Sequence, residues 1–287
     1  MTKTKKRIAE LDIIRGILVL LLVIDHFFYD CGFFVNEMFN YELLMASPIY
    51  ALVQFARVYW RHPLRKAIRQ ICLLLFFLIS GICASFSKNN LKRSLKLMLF
   101  SAAATILSFG YSYLTKHWDF LINVKAEPLY WLFPIFFCYG FSIFTYEIIH
   151  RTVRFIMKRD SLIAPCIALL GGLAIIFVFI YYDLHNAPLE FYERDHFFEY
   201  VLGFSQAYED FDSWPLFPFM GYLLIGVFTG FVLYREKKSI FFKEQDSNLF
   251  VKLNKPISFL GRHSLWVYIL HQVIIVPILY GVFYLSI

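Results

Sequence analysis

Seven apolar stretches recur along this chain, at residues 13–34, 69–87, 93–114, 129–149, 162–182, 215–234 and 263–285. Each approaches the ~20 residues that a helix needs to cross a bilayer. In lipid the backbone must satisfy its own hydrogen bonds, and a helix does so within one segment. The expected fold is therefore all-α, a polytopic integral membrane helix bundle of about seven transmembrane helices. Composition agrees: 59% of residues are hydrophobic and 17% charged, too greasy for a soluble domain of this length. No repeat and no low-complexity linker divides residues 1–287, so a single domain is expected. Small residues at Ser80, Gly81, Ala84 and Ser85, and at Gly221, Gly226 and Gly230, suit close helix packing.

A net charge of +7 would suggest nucleic acid in a soluble protein. Here the basic residues gather in short loops at 3–7, 88–96, 150–159 and 235–262. Seven alternating spans put all four on one side, which by the positive-inside rule is the cytoplasm. No nucleic-acid function is expected. The N-terminus is then cytoplasmic and the C-terminus outside, in a plasma (inner) membrane. The acid-rich loop 183–213 falls outside, as this orientation requires. The first stretch is too long and too interrupted for a cleavable signal peptide. One segment breaks the charge rule. An apolar run from Leu43 is followed by Arg57, Arg61, His62, Arg65, Lys66 and Arg69. Leu43 to Arg65 reads as an amphipathic segment on the outer surface, its basic residues snorkelling or facing an anionic ligand. The cysteines at 31, 72, 83, 138 and 166 lack CxxC spacing and read as small buried hydrophobes, with no metal expected.

Ionisable residues inside such a chain need a reason, since each costs several kcal/mol in lipid. In the first stretch Arg15 and His26 are eleven residues apart, which places them on one helix face about 16 Å apart along the axis. Asp12, at i−3, can pair with Arg15. Asp30, at i+4 from His26, can accept a ring N–H and leave the other nitrogen free as a base or nucleophile. Asp25 lies about 100° away and faces a different partner. The last stretch repeats the pattern, with Ser264 and His271 seven apart on one face, Tyr268 close to that stripe and Gln272 next to His271. A stripe facing His26 would build a reaction chamber; interhelical hydrogen bonding is the plainer alternative.

The run Arg7-Ile8-x-Glu10-Leu11-Asp12-x-x-Arg15-Gly16 with His26 resembles the start of the heparan-alpha-glucosaminide N-acetyltransferase catalytic domain family, in its bacterial branch. Phe77-Leu78-Ile79-Ser80-Gly81 with Ser85 and Asn90, Pro215-Leu216-Phe217-Pro218-Phe219-x-Gly221-Tyr222, and Leu260-Gly261-Arg262 through His271-Gln272 follow in the family's order. The Arg-x10-His spacing is also similar to that of acyltransferase family three. The resemblance implies a transmembrane acyltransferase. Acetyl-CoA, or another acyl-CoA, would donate from the cytoplasm, and an amine or hydroxyl of a cell-surface or lipid-linked glycan would accept outside. It implies His26 as base or transient acyl carrier, with Asp30 and His271 completing the catalytic set. Asp12, Arg15 and Arg262 would hold the donor. Asp25, Ser264, Tyr268, Gln272 and His62 would face the acceptor. Some family members carry Asn where His26 stands, with the acting His further along the outer loop, which makes His62 the rival.

A transporter or flippase for a glycan precursor or other amphiphile is the competing expectation, because intramembrane charge also marks transport routes. The absence of an internal repeat favours the enzyme. A structural membrane protein would give no reason for Asp12, Arg15, His26 and His271. Besides the bilayer and the glycan, a second copy of the chain is left open as a partner.

Overall fold

The computed structural model describes residues 8–34, 41–117, 135–158, 162–185, 202, 215–241 and 254–286. Among them the chain is all-helical. The helices are α1 (Ala9–Tyr29), α2 (Tyr41–Ala46), α3 (Tyr50–Arg61), α4 (Pro63–Ser85) and α5 (Asn90–His117). They continue with α6 (Ile135–Met157), α7 (Ile163–His185), α8 (Phe219–Leu233), α9 (Lys255–Arg262) and α10 (Ser264–Tyr284). A π-helical turn, Asp30–Phe34, extends α1. Each of the seven apolar stretches falls on its own helix, with 129–134 outside the described residues.

Three helices, α4, α7 and α10, are long and apolar enough to cross a membrane by length and composition, and α8 is a shorter helix of the same character. The remaining three carry more charge. Asp12, Arg15 and Asp25 sit in α1, Lys92, Arg93 and Lys96 open α5, and Glu147, Arg151 and Arg154 close α6. The outward residues are what lipid demands: Leu170 and Phe177 on α7 are 66% and 70% exposed. On α1, Ile17, Leu20, Leu21 and Ile24 form an exposed apolar stripe at helical spacing.

The chain forms two compact units, Met1–Phe76 with Lys237–Ile287 and Phe77–Glu236. Helix α4 begins in the first and ends in the second. In the second unit glycines set the helix crossings. A Cβ on Gly81 would strike the Leu223 carbonyl, and one on Gly226 the Leu78 carbonyl. Gly172 and Gly221 bring α7 and α8 together, and Gly140 meets α5 at Ser94. The expectation that these small residues carry packing is met, since backbones this close leave no room for a side chain. Phe77, fully buried, stacks on Tyr139 at 4.0 Å and on Phe219 at 5.1 Å.

The first unit uses the same device once. Gly16 meets the Ile257 carbonyl and Gly261 the Asp12 carbonyl, so α1 and α9 cross in backbone contact. Beneath the crossing, buried Glu10 accepts hydrogen bonds from Ser239 Oγ at 2.5 Å and Ile240 N–H at 2.7 Å. Near the other end of α1, Cys31, Leu44, Val53, Ala56, Leu279 and Phe283 form an apolar core.

The segment expected to lie on the outer surface is broken more finely than its sequence suggested. It forms two short helices, α2 and α3, and α4 starts at Pro63, six residues before the apolar stretch. Proline favours the first helical position and holds His62 before it extended, with ψ 129°. The early start draws Arg65 into α4. Instead of snorkelling, Arg65 is 7% exposed.

Candidate active site

Two imidazoles meet in the first unit. The His26 and His271 rings lie edge to face with centroids 4.7 Å apart, one from α1 and one from α10. Of the polar stripe on the last helix, His271 thus faces His26. The helix continues through His26 because nothing in Ile17 to Ile24 breaks it, and the ring satisfies itself locally. His26 Nδ1 lies 3.0 Å from the Leu22 carbonyl, so it carries the hydrogen and Nε2 keeps its lone pair. His271 does the same, with Nδ1 2.5 Å from the Tyr268 carbonyl. Both rings therefore present basic Nε2 atoms.

The local geometry corrects the expected role of Asp30. It was expected to accept a ring N–H from His26, but that ring turns back one helical turn to Leu22 instead. Asp30 lies buried at the start of the π-helical turn, with the Gln272 side chain of α10 close to its carboxyl. This brings α1 and α10 together one step along from the imidazole pair. Three buried atoms here have no hydrogen-bond partner among the described residues: Asp30 Oδ2, His271 Nε2 and Gln272 Oε1. All three accept hydrogen bonds when the carboxyl is ionised, and buried acceptors are costly to leave unmatched. The cluster is chemically complementary to a donor group such as an amine or hydroxyl.

Asp25 is drawn elsewhere. Its carboxylate takes a bidentate pair from Arg65, Nε to Oδ1 at 2.7 Å and Nη2 to Oδ2 at 2.5 Å, and a third bond from the Tyr59 hydroxyl at 3.2 Å. The guanidinium also lies 3.4 Å over the Trp60 ring. Burial first, then the neighbouring carboxylate, raises the Tyr59 phenol above its ordinary range, so it remains a donor. Through these bonds Asp25, expected to face the acceptor, ties α3 and α4 to α1. The pair joins residues 40 apart, and no local spacing announces it.

The remaining expected residues divide by position. Arg15 is half-buried beside Gly16, and Asp12 lies one turn earlier on the same helix. Arg15 and Arg262 flank the two glycines of the α1–α9 crossing, with Arg262 exposed. Ser264 opens α10 half-buried, and the Tyr268 ring lies 5.6 Å from His271. His62 serves elsewhere. It is exposed, and its Nδ1 accepts the Leu64 N–H at 3.2 Å, capping the start of α4. Among the described residues no group of His, Cys, Asp or Glu could hold a metal ion. Of the residues expected in loops, Arg7, Glu193 and the rest of 186–201 lie outside the described residues.

Among the described residues, three helices apolar enough to cross a membrane accompany an imidazole pair in which His271 is buried and His26 half-buried. The chain belongs to the family described as heparan-alpha-glucosaminide N-acetyltransferase, catalytic, whose model matches residues 7–273. That makes it a membrane acetyltransferase of the kind that acts on glycans, in a family that uses acetyl groups derived from acetyl-CoA. The match ends just beyond His271 and Gln272. No curated protein and no solved structure matches the chain.

Proposed function

We propose that this chain moves an acetyl group from acetyl-CoA, bound from the cytoplasmic side, to an amine or hydroxyl of a cell-surface or lipid-linked glycan outside a plasma membrane. The observation that carries the reading is the His26–His271 pair, with its basic Nε2 atoms and the unmatched acceptors beside it. Half-buried His26 is the base. Its Nε2 takes the proton as the acceptor's nitrogen or oxygen attacks the thioester carbonyl. The C–S bond breaks, and the proton passes to the departing CoA thiolate, giving acetylated glycan and CoA. His271, Asp30 and Gln272 hold the acceptor's N–H or O–H groups and keep the His26 ring in place.

The donor end is read from charge. Arg15 and Arg262 present two guanidinium groups beside the glycine crossing, a chemistry suited to CoA phosphates. Helix geometry separates Arg15 from His26 by about 16 Å, a span that an extended pantetheine arm can bridge. The basic loops support a cytoplasmic N-terminus, and Asp12 lies on the same donor side.

The test uses full-length protein in nanodiscs with labelled acetyl-CoA and an amino-sugar acceptor. Wild type is expected to release CoA and label the sugar. His26→Ala is expected to lose about 10²- to 10⁴-fold in rate, the usual contribution of a positioned base, with its elution profile unchanged. Retained activity in His26→Ala, with loss in His62→Ala, would move the chemistry to the start of α4.

A further inference from the structure

Beside the π-helical turn that follows α1, a cleft of about 380 Å³ is lined by Phe33, Gln54, Arg57, Val58 and Arg61. Four of the five come from α3, and their spacing of i, i+3, i+4 and i+7 puts them on one helix face. Arg57 is held in place there, its Nε donating to the Gly32 carbonyl at 3.0 Å. Arg61 sits one turn further along. Two like charges at i and i+4 repel each other on a helix, and α3 contains no acidic residue to offset them. The carboxylate that approaches α3, Asp25, is occupied by Arg65 and by Tyr59, which lies about 150° around α3 from the cleft face. Neither cleft arginine pairs with a carboxylate among the described residues.

We propose that this cleft binds the phosphate group of a membrane amphiphile. Two guanidinium forks and the Gln54 amide converge on one cavity, which suits an oxyanion with several acceptor atoms. The remaining lining is apolar. Phe33 and Val58 form it, Val58 is 66% exposed, and neighbouring Phe55 is 56% exposed on the same short helix. An amphipathic helix with basic and exposed apolar residues belongs at a lipid–water boundary, where a phosphate arrives attached to an acyl tail. The site is separate from the imidazole pair and does not depend on acetyl transfer.

Calorimetric titration of the full-length protein in a non-ionic detergent tests this with three probes: dihexanoylphosphatidic acid, dihexanoylglycerol and inorganic phosphate. The phosphatidic acid is expected to bind, and the glycerol lipid and the free phosphate to bind at least about tenfold more weakly. Arg57→Gln/Arg61→Gln is expected to weaken the phosphatidic acid by at least about tenfold, since charge-assisted contacts are lost. Should the double variant fail to fold through loss of the Gly32 contact, exposed Arg61→Gln alone decides, with an expected loss of about threefold or more. Unchanged affinity in the folded variant overturns the site. Equal binding of the glycerol lipid overturns phosphate recognition, and equal binding of inorganic phosphate overturns the amphiphile.

Discussion

The second unit brings its helices together by removing side chains, whereas the first unit adds paired polar side chains to a glycine crossing and an apolar core. Gly81, Gly172, Gly221 and Gly226 put backbones in contact around a stacked Phe77, and the hydroxyls nearby return to their own helices, as Ser142 does to the Cys138 carbonyl at 2.6 Å. In the first unit one glycine crossing is supplemented by the Glu10 clasp, the Arg65–Asp25 pair and the contact of two imidazoles. The contrast matters for function. A glycine crossing leaves no polar group to satisfy, while a polar cluster with unmatched buried acceptors carries a cost that a donor group would relieve.

The sharpest way to break this contrast is at Gly81. Gly81→Leu is expected to abolish folding of the second unit, because the atom in the way is a backbone carbonyl that cannot step aside. Loss of a monodisperse peak on size-exclusion chromatography checks it, and a stable variant would remove the glycine account of that unit.

Next in size is the pair that anchors α4 on α1. Asp25→Asn leaves a buried guanidinium without its counter-charge and is expected to cost about 3 kcal/mol. Asp25→Leu/Arg65→Met is expected to recover most of that, because removing both charges also removes their desolvation cost. Unfolding in detergent for the set measures both effects, and additive losses would show that the two residues do not act as a pair.

The smallest effect is expected at the rival histidine. His62→Ala removes one exposed cap and should lower stability by about 1 kcal/mol or less, with acetyl transfer retained within about twofold. A large loss of activity measured in that variant would place chemistry outside the imidazole pair.

How much of this was legible in the sequence follows the range of the interactions. The helices were legible because apolar length is a property of a continuous segment. Arg15 and His26 shared a face because a single helix, Ala9–Tyr29, runs through both. Spacing put His271 on one face with Ser264, though not against His26, and Gly261-Arg262 marked a region that proves to be a backbone crossing. Local pairing was less reliable. His26 had Leu22 one turn back as well as Asp30 one turn ahead, and the carbonyl took the ring hydrogen. Arg65–Asp25, the Glu10 clasp and the Arg57–Gly32 contact join residues far apart in the chain, so no periodicity revealed them. The excess of arginine between 57 and 69 was the one visible signal. It pointed to snorkelling or to an anionic ligand, while in the folded chain one of those arginines is a buried anchor and two line a cleft.

In the proposed reaction His26 and His271 work as one unit in acetyl transfer. Rates of CoA release with an amino-sugar acceptor for His26→Ala, His271→Ala and the double variant test it most directly. Groups that act together lose their effect together. The account predicts that each single variant loses about 10²-fold or more and that the double variant is scarcely slower than the worse single. Independent, multiplying losses, or near-wild-type turnover in either single variant, would contradict it.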